Sequence, residues 1–379
     1  MATALGAAPH WARPVLASLV PGAFERFGPP RRWARSAAYA RRAGAEWRVV
    51  EAAQPVAPVM PAIEGRIDPM FWRDRVAGLP ALGVLQLPEA LVVGTQGVLA
   101  RDGTYLPDCG YYQLRVGMSP LYTRGYGQPV ERLPGTTLSL ATDFADANYY
   151  HLLLDAVPRL ELLEAAGFRM DEVDHVYLPS LDSPVVRAIW SRLRIPAGKV
   201  ISTRDHPVIR CERLLATSYP GSSNQLSPRA VHYIRRQLRD GTRRDGTRRI
   251  FVSRRGIARD LVNADEIEAV ARRLGFEIRL PGQQADDLEA FSEATAVLGV
   301  HGAGTGNAVL MEEDGVLVDL FPPRFQTRCH FSWSRSAGVR YHGLVGEPAG
   351  DEHVPPMLRP FRIDPARLER FLRGIPGCS

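Results

Sequence analysis

The sequence predicts an α/β fold built on a parallel sheet, and three observations between Arg249 and Pro322 carry that prediction. Short apolar runs alternate there with segments of helical spacing. The runs are nearly continuous in apolar residues, as in strands covered on both faces. A glycine-rich turn, His301-Gly302-Ala303-Gly304-Thr305-Gly306-Asn307, leaves the third run and leads into another helical segment.

Each element has its own reason. Ile250-Phe251-Val252-Ser253 is a β-branched and apolar run closed by Arg254-Arg255. Asn263-Ala264-Asp265-Glu266 offers a cap residue and first-turn acids, followed by Ile267, Val270, Ala271 and Leu274 at helical spacing. Gly275 stops that helix, and Phe276 to Leu280 is the next strand. Asp287 to Ala294 is a second helix, with Leu288 and Phe291 on one face. Ala296 to Val300 is the third strand, and Gly315 to Phe321 the fourth, ended by Pro322-Pro323.

Elements in this order make a parallel sheet with helices on both faces. Its ligands sit at the carboxyl ends of the strands, which selects Arg254-Arg255 and the His301 turn. Glycines let backbone amides approach an anion, and the helix that follows offers its N-terminus. Guanidinium forks match phosphate oxygens. A nucleotide or nucleotide-sugar site is the reading that joins these features. Glycine-rich turns also arise from packing alone, and GAGTG falls short of the G-x-G-x-x-G dinucleotide fingerprint.

At 379 residues, 45% hydrophobic and 23% charged, the chain has the size and composition of two ordinary globular domains. No run reaches membrane-spanning length, and the N-terminus lacks the charged-then-apolar order of a signal peptide, so the expected location is the cytoplasm. Cys109, Cys211, Cys329 and Cys378 are scattered without a C-x-x-C pair, which argues against structural zinc or a disulfide framework. The net charge is +6, and Lys199 is the only lysine, so the excess is an arginine-rich composition rather than a binding adaptation. A dense arginine cluster runs from Arg235 to Arg259 without an aromatic stacking motif or a DNA-reading module, which sets nucleic-acid binding aside. A solvated loop hinged at Gly241 and Gly246 accounts for it.

The first 69 residues are rich in Ala, Arg and Pro, with a helix expected around Trp33 to Arg48. Leu79 to Arg101 reads as a β-meander, and Asp102-Gly103 as a hairpin turn. The tyrosines from Tyr105 to Tyr126 suit loop packing or a carbohydrate platform. A helix starts at Asn148, with Asp143 or Asp146 as its expected cap. His151 and Asp155 are four apart and share one face. Buried on an apolar helix they must satisfy each other or face a cleft. Pro158-Arg159 then ends or kinks the helix and adds a cation.

Asp174 to Ser180, Val200-Ile201 and Leu214 to Pro220 read as strands and Pro184 to Leu193 as a helix, a less regular α/β domain. Gly221 to Asn224 reads as a linker, and Pro228 opens a helix through Leu238. After Pro323 an irregular stretch leads to an amphipathic helix from Pro365 to Leu372. The expected division is 1–222 as a first domain with 1–75 an irregular extension, 223–330 as a second, and 331–379 as a tail packing back.

Three ordered motifs are Asn-Tyr-Tyr-His-x-x-x-Asp-x-x-Pro-Arg-Leu from Asn148, Val-Ser-Arg-Arg from Val252, and Gly-x-His-Gly-Ala-Gly-x-x-Asn from Gly299. With Val318-Asp319-Leu320 they resemble glycosyltransferase family 61, which includes bacterial capsular polysaccharide biosynthesis proteins. The resemblance spans residues 148–323. It implies a GT-B-like fold, two Rossmann-like domains facing across a cleft, the C-terminal one holding the nucleotide-sugar donor and the N-terminal one the acceptor. It also implies inverting transfer without an obligatory metal, and no Asp-x-Asp motif occurs in the sequence. Arginines and helix amides then neutralise the leaving nucleotide.

Carried over by position, Arg254 and Arg255 contact the donor diphosphate, with Arg259 beside them. His301, Gly302, Ala303 and Gly304 form the donor-side turn, and Asn307 begins its helix. Asp319, where members often have Glu, meets the ribose or base. Inverting transfer needs one base. Asp155 takes that role with His151 orienting it or contacting substrate, or the two exchange roles. Asn148, Tyr150 and Arg159 fall on the acceptor side, and Leu152 stands where the family usually has an aromatic. The resemblance thus implies a hexosyl- or pentosyltransferase in polysaccharide or capsule assembly, using a UDP-linked donor and no other cofactor. Its partners are the donor and a glycan acceptor, with no nucleic acid, and its place is the cytoplasm or the inner face of the membrane. Two alternatives are a catalytically inactive nucleotide-binding scaffold and an NAD-dependent oxidoreductase. The latter lacks an acidic ribose partner about 20 residues after the turn.

Overall fold

A computed structural model describes residues 27–73, 75–122, 128–239, 247–280, 284 and 286–378. The chain divides into two compact units. The first contains residues up to Gln54 with Pro80–Leu181 and Ile195–Ser223, and the second contains Pro55–Leu79, Asp182–Arg194 and Asn224–Ser379.

The first unit is built on a mixed sheet. Its central strand, Val208–Thr217, pairs in parallel with Glu131–Ser139 and antiparallel with Leu82–Val93. One half continues in parallel through His175–Leu178 to Val200–Ser202. Parallel neighbours need a long crossover, and the segment carrying helix Arg159–Ala165 supplies one. The other half is the expected meander: Leu82–Val93, Gly97–Leu99 and Thr104–Tyr105 are antiparallel and joined by tight turns.

The helix expected around Trp33 to Arg48 is shorter, Ser36–Ala43. Strands Arg32–Trp33 and Trp47–Glu51 flank it. Gly44 adopts the left-handed conformation that stops a helix, and the run Trp47-Arg48-Val49-Val50 favours a strand. The described part of the first 75 residues is therefore not irregular.

The second unit carries an all-parallel sheet in the order Glu277–Arg279, Arg248–Val252, Ala294–Val300, Val316–Phe321, Arg340–Val345, Ala62–Glu64. Four of these strands are those read from the sequence. The stretch after Pro323, expected to be irregular, forms helix Cys329–Ser336 and strand Arg340–Val345. Buried Ser332 and Ser334 blur the apolar pattern of that helix, and Gly343 interrupts the strand.

Phe251, Leu298, Val318 and Leu344 of this sheet pack with Ile267 and Val270 of helix Ala264–Arg273 and with Leu368 and Leu372 of helix Pro365–Arg373. Burying each such side chain contributes about 1.5–3 kcal/mol. The closing helix thus belongs to the core of the second unit. Gly241, Arg243, Arg244 and Gly246, the expected hinged loop, lie outside the described residues. Among the described residues no helix is long and apolar enough to cross a membrane.

Candidate active site

Two groups of polar side chains gather at carboxyl ends of parallel strands, one in each unit. In the first unit the chain leaves strand Glu131–Ser139 and enters a helix at Tyr149. Asn148 caps that helix, its side chain accepting from Tyr150 N–H at 3.0 Å. Neither Asp143 nor Asp146 is the cap. Asp146 instead accepts from Ser180 and Thr203.

Pro158 has no N–H to offer Leu154, and the ladder adjusts. Leu152–Ala156 is π-helical, with Val157 N–H reaching back five residues to Leu152 O at 3.1 Å. Such π turns recur at functional sites. Within this one, His151 Nδ1 lies 2.6 Å from Asp155 Oδ2. The Asp155 side chain is 1% exposed and that of His151 13%, so the imidazole is the member of the pair that reaches the surface. Arg159, buried behind them, donates to Asp155 O, Thr217 O and Cys109 O. Burial pushes its pKa down, against the pull of Cys109 and Asp155. Tyr150 is buried as well.

Asp143 joins this group without having been assigned a site role from the sequence. Its Oδ2 accepts from Tyr111 N–H at 2.8 Å, whereas Oδ1 is buried without a hydrogen-bond partner among the described residues. A Cβ on Gly110 would come 2.6 Å from Oδ2, so glycine is what lets the chain pass the carboxylate so closely. Burial pushes the Asp143 pKa up to about 7, against the Tyr111 amide, Arg159 and His151. A raised carboxyl pKa means the unfolded state ionises first. Stability therefore falls as pH rises from the ordinary carboxylate value to about 7, and is flat above. Asp143→Asn, which does not titrate, is expected to melt above the wild type at pH 8 by about 2 kcal/mol, roughly 4–8 °C. The gap should close towards pH 4. A gap that ignores pH would show that the carboxyl does not titrate there.

In the second unit Arg254 follows strand Arg248–Val252 and lies against the turn that follows strand Ala294–Val300. A Cβ on Gly302 would come 2.0 Å from an Arg254 guanidinium nitrogen, so glycine is what lets the guanidinium lie against the turn. Arg254 is buried, and its Nε donates to Ala258 O at 3.1 Å. Arg259 holds φ at +66°, a strained value for arginine, with NH1 on Met357 O at 2.9 Å and its guanidinium 4.6 Å from the Phe325 ring centroid. Neither forms an ion pair with a described residue. Burial lowers the pKa of both, and Arg259 pushes that of Arg254 down further, to about 10, against the pull of Asp260. Both remain cations at neutral pH.

Arg255 is placed differently. Its guanidinium turns to Glu268, at 2.7 Å, and to Asp265, and these carboxylates raise its pKa. Gly302 and Ala303 are the partly exposed residues of the turn, and Gly304 is buried. Asn307 does not begin the helix after the turn but lies inside the 3-10 helix Ala303–Leu310, fully buried.

His301 and Asp319 form a closed network. Asp319 is fully buried and accepts from His301 Nδ1 at 3.2 Å, His330 Nδ1 at 3.0 Å and Tyr341 Oη at 2.8 Å. A contact with ribose or base, expected from the sequence, is closed to a carboxylate so enclosed. Burial raises its pKa, but the two imidazoles outweigh it and hold the carboxyl below the usual carboxylate range. Burial brings the His301 pKa down to about 4 despite Asp319, so this imidazole is neutral. With Nδ1–H given to Asp319, His301 Nε2 accepts from Thr327 Oγ1 at 2.8 Å. Among the described residues, His301, Cys329 and His330 also bring one potential metal-ligating atom each within 4.8 Å of one another. A carboxylate behind the imidazoles is the support that histidine ligands use.

His330, Tyr341 and Thr327 carried no signal in the sequence, because nothing near them repeats at a strand or helix period. The family model described as Glycosyltransferase 61 matches residues 149–318. That span contains His151, Asp155, Arg159, Arg254, Arg259 and His301, and leaves out Asp143, Asp319 and His330. No curated protein matches the chain. Over that segment the chain is similar to glycosyltransferase family 61, and the similarity supports a glycosyltransferase.

Proposed function

We propose that the protein is an inverting, metal-independent transferase that moves a sugar from a nucleotide-sugar donor to a glycan hydroxyl. One observation carries the donor side. Arg254 and Arg259 are two partly desolvated cations that repel each other beside the Gly302 turn; Asp260 attracts Arg254, but neither arginine forms an ion pair with a described residue. A diphosphate would relieve that repulsion and take their forked donors.

The acceptor side follows from the burial of the His151–Asp155 pair. In this reading the group that substrate can reach takes the proton, so His151 is the base and Asp155 orients it, which the exposure of the imidazole supports. The acceptor oxygen attacks the anomeric carbon as the bond to the phosphate oxygen breaks. The proton passes to His151 Nε2, where the Asp155 charge stabilises the imidazolium formed. The bonding electrons leave on the nucleoside diphosphate, whose charge meets Arg254, Arg259 and the amides of the turn. A single displacement inverts the anomeric centre. In this reading the second unit is the donor half and the first the acceptor half of a GT-B arrangement. The donor is UDP-linked, and the setting is polysaccharide or capsule assembly at or near the cytoplasmic face of a membrane.

Thermal melting against UDP, GDP, CMP and NAD, with and without EDTA, tests the proposal, together with nucleotide release from the matching sugar donor. Stabilisation by one nucleoside diphosphate, unchanged by EDTA and accompanied by donor turnover, is expected. A shift abolished by EDTA would bring a cation at His301, Cys329 and His330 into the mechanism. Binding without turnover is the scaffold outcome, and a shift with NAD alone would turn the reading to hydride transfer.

A further inference from the structure

We propose that Phe144, with Tyr111 and Tyr112, forms an aromatic subsite beside His151 that binds the C–H face of an acceptor pyranose ring. The inference rests on the transfer reading above and says where its acceptor sits. None of the three residues lies in the segment matched by the family model.

The first support is strain. Phe144 holds φ at +67°, a left-handed conformation that bulky residues rarely adopt. The surroundings keep it there. Ala147 and Asn148 N–H both donate to Phe144 O, at 3.0 and 2.9 Å, and the preceding Asp143 is tied to Tyr111 N–H. Backbone strain that is over-determined in this way marks functional segments.

The second is what the strain achieves. Phe144 stays 43% exposed in spite of its apolar character, and its ring leans over the His151 imidazole, 5.0 Å between centroids at 34°. Tyr112 tilts against Phe144 at 5.8 Å. Tyr111 meets Phe144 and His151 edge-on, each at 5.4 Å. Aromatic rings therefore bracket the imidazole that the transfer reading makes the base.

The third is chemical fit. A pyranose presents a face of C–H groups, whose positive edge suits the negative face of an aromatic ring, and a rim of hydroxyls. A sugar resting on Phe144 would bring a rim hydroxyl to His151. Asp143 is a positioning residue in this arrangement, since it fixes Tyr111 by hydrogen bond and precedes Phe144 in the chain.

Saturation-transfer NMR on the full chain tests the subsite, with the methyl pyranosides of glucose, galactose, mannose and N-acetylglucosamine and with uridine as probes. Ring C–H signals from at least one glycoside are expected, falling about fivefold or more in Phe144→Gly. Glycine takes φ +67° without strain, so this variant should melt within about 2 °C of the wild type or above it. A purely structural phenylalanine would instead lower the melting temperature and leave the glycoside signals. Should Phe144→Gly misfold, Phe144→Asn, whose residue type tolerates the same conformation, carries the test.

Glycoside signals undiminished in these variants, or signals from uridine alone, would overturn the subsite. Nucleotide stabilisation of the wild type separates the two levels. Its absence would sink the transfer reading, whereas its presence with indifferent glycoside signals would sink only the subsite.

Discussion

Replacing His151 by alanine is expected to lower turnover about a thousandfold while leaving nucleotide stabilisation of the fold unchanged. The loss follows from removing the surface-reaching member of the pair, because Asp155 behind it is 1% exposed and cannot meet a hydroxyl. Asp155→Asn should lose nearly as much by a different route. An asparagine amide can donate to Nδ1 and so select the tautomer with its proton on Nε2, where a base needs a lone pair. Full activity in His151→Ala beside an inactive Asp155→Ala would return the base to Asp155.

Arg254→Ala should weaken nucleotide binding about a hundredfold, the size of a lost charge-assisted contact of about 3 kcal/mol. Arg255→Ala should bind nucleotide almost as the wild type does, since its guanidinium faces Asp265 and Glu268 rather than the turn. Neighbours in sequence are thus expected to separate in function. Gly302→Ala should mimic Arg254→Ala, because its Cβ would meet the guanidinium at 2.0 Å and drive it from the turn. Titration calorimetry with the stabilising nucleoside diphosphate reads all three. Loss of binding in Arg255→Ala with binding kept in Arg254→Ala would reverse the assignment.

The contrast between Arg254 and Arg255 marks where reading along the chain stopped. Both arginines follow one strand, and their spacing gives no preference between them. The preference comes from Gly302, close to Arg254, and from Glu268, one helix away and next to Arg255. Asp319 teaches the same lesson. As a strand residue near a carboxyl end it looked open to a ligand, yet His330 and Tyr341, from a helix and a strand not foreseen, enclose it. The cluster around His151 was half visible. A four-residue spacing pairs His151 with Asp155, whereas Asp143, Tyr111 and Phe144 reach them only through a loop and a series of short 3-10 turns.

What could be read without coordinates is what has a short period or a local cause. Most of the parallel strands from Arg248 to Phe321 are nearly continuous apolar runs, the helix from Pro228 to Leu238 begins at a proline behind a serine cap, and the closing helix shows its apolar stripe. Periodicity and capping act over a few residues, so they survive in a one-dimensional string. Tertiary packing alone decided which arginine meets the turn, that Asp319 is sealed behind two imidazoles, and which member of the His151–Asp155 pair faces outward. Each of these depends on burial and on partners from distant segments, which set desolvation and hydrogen bonding but leave no spacing behind in the chain.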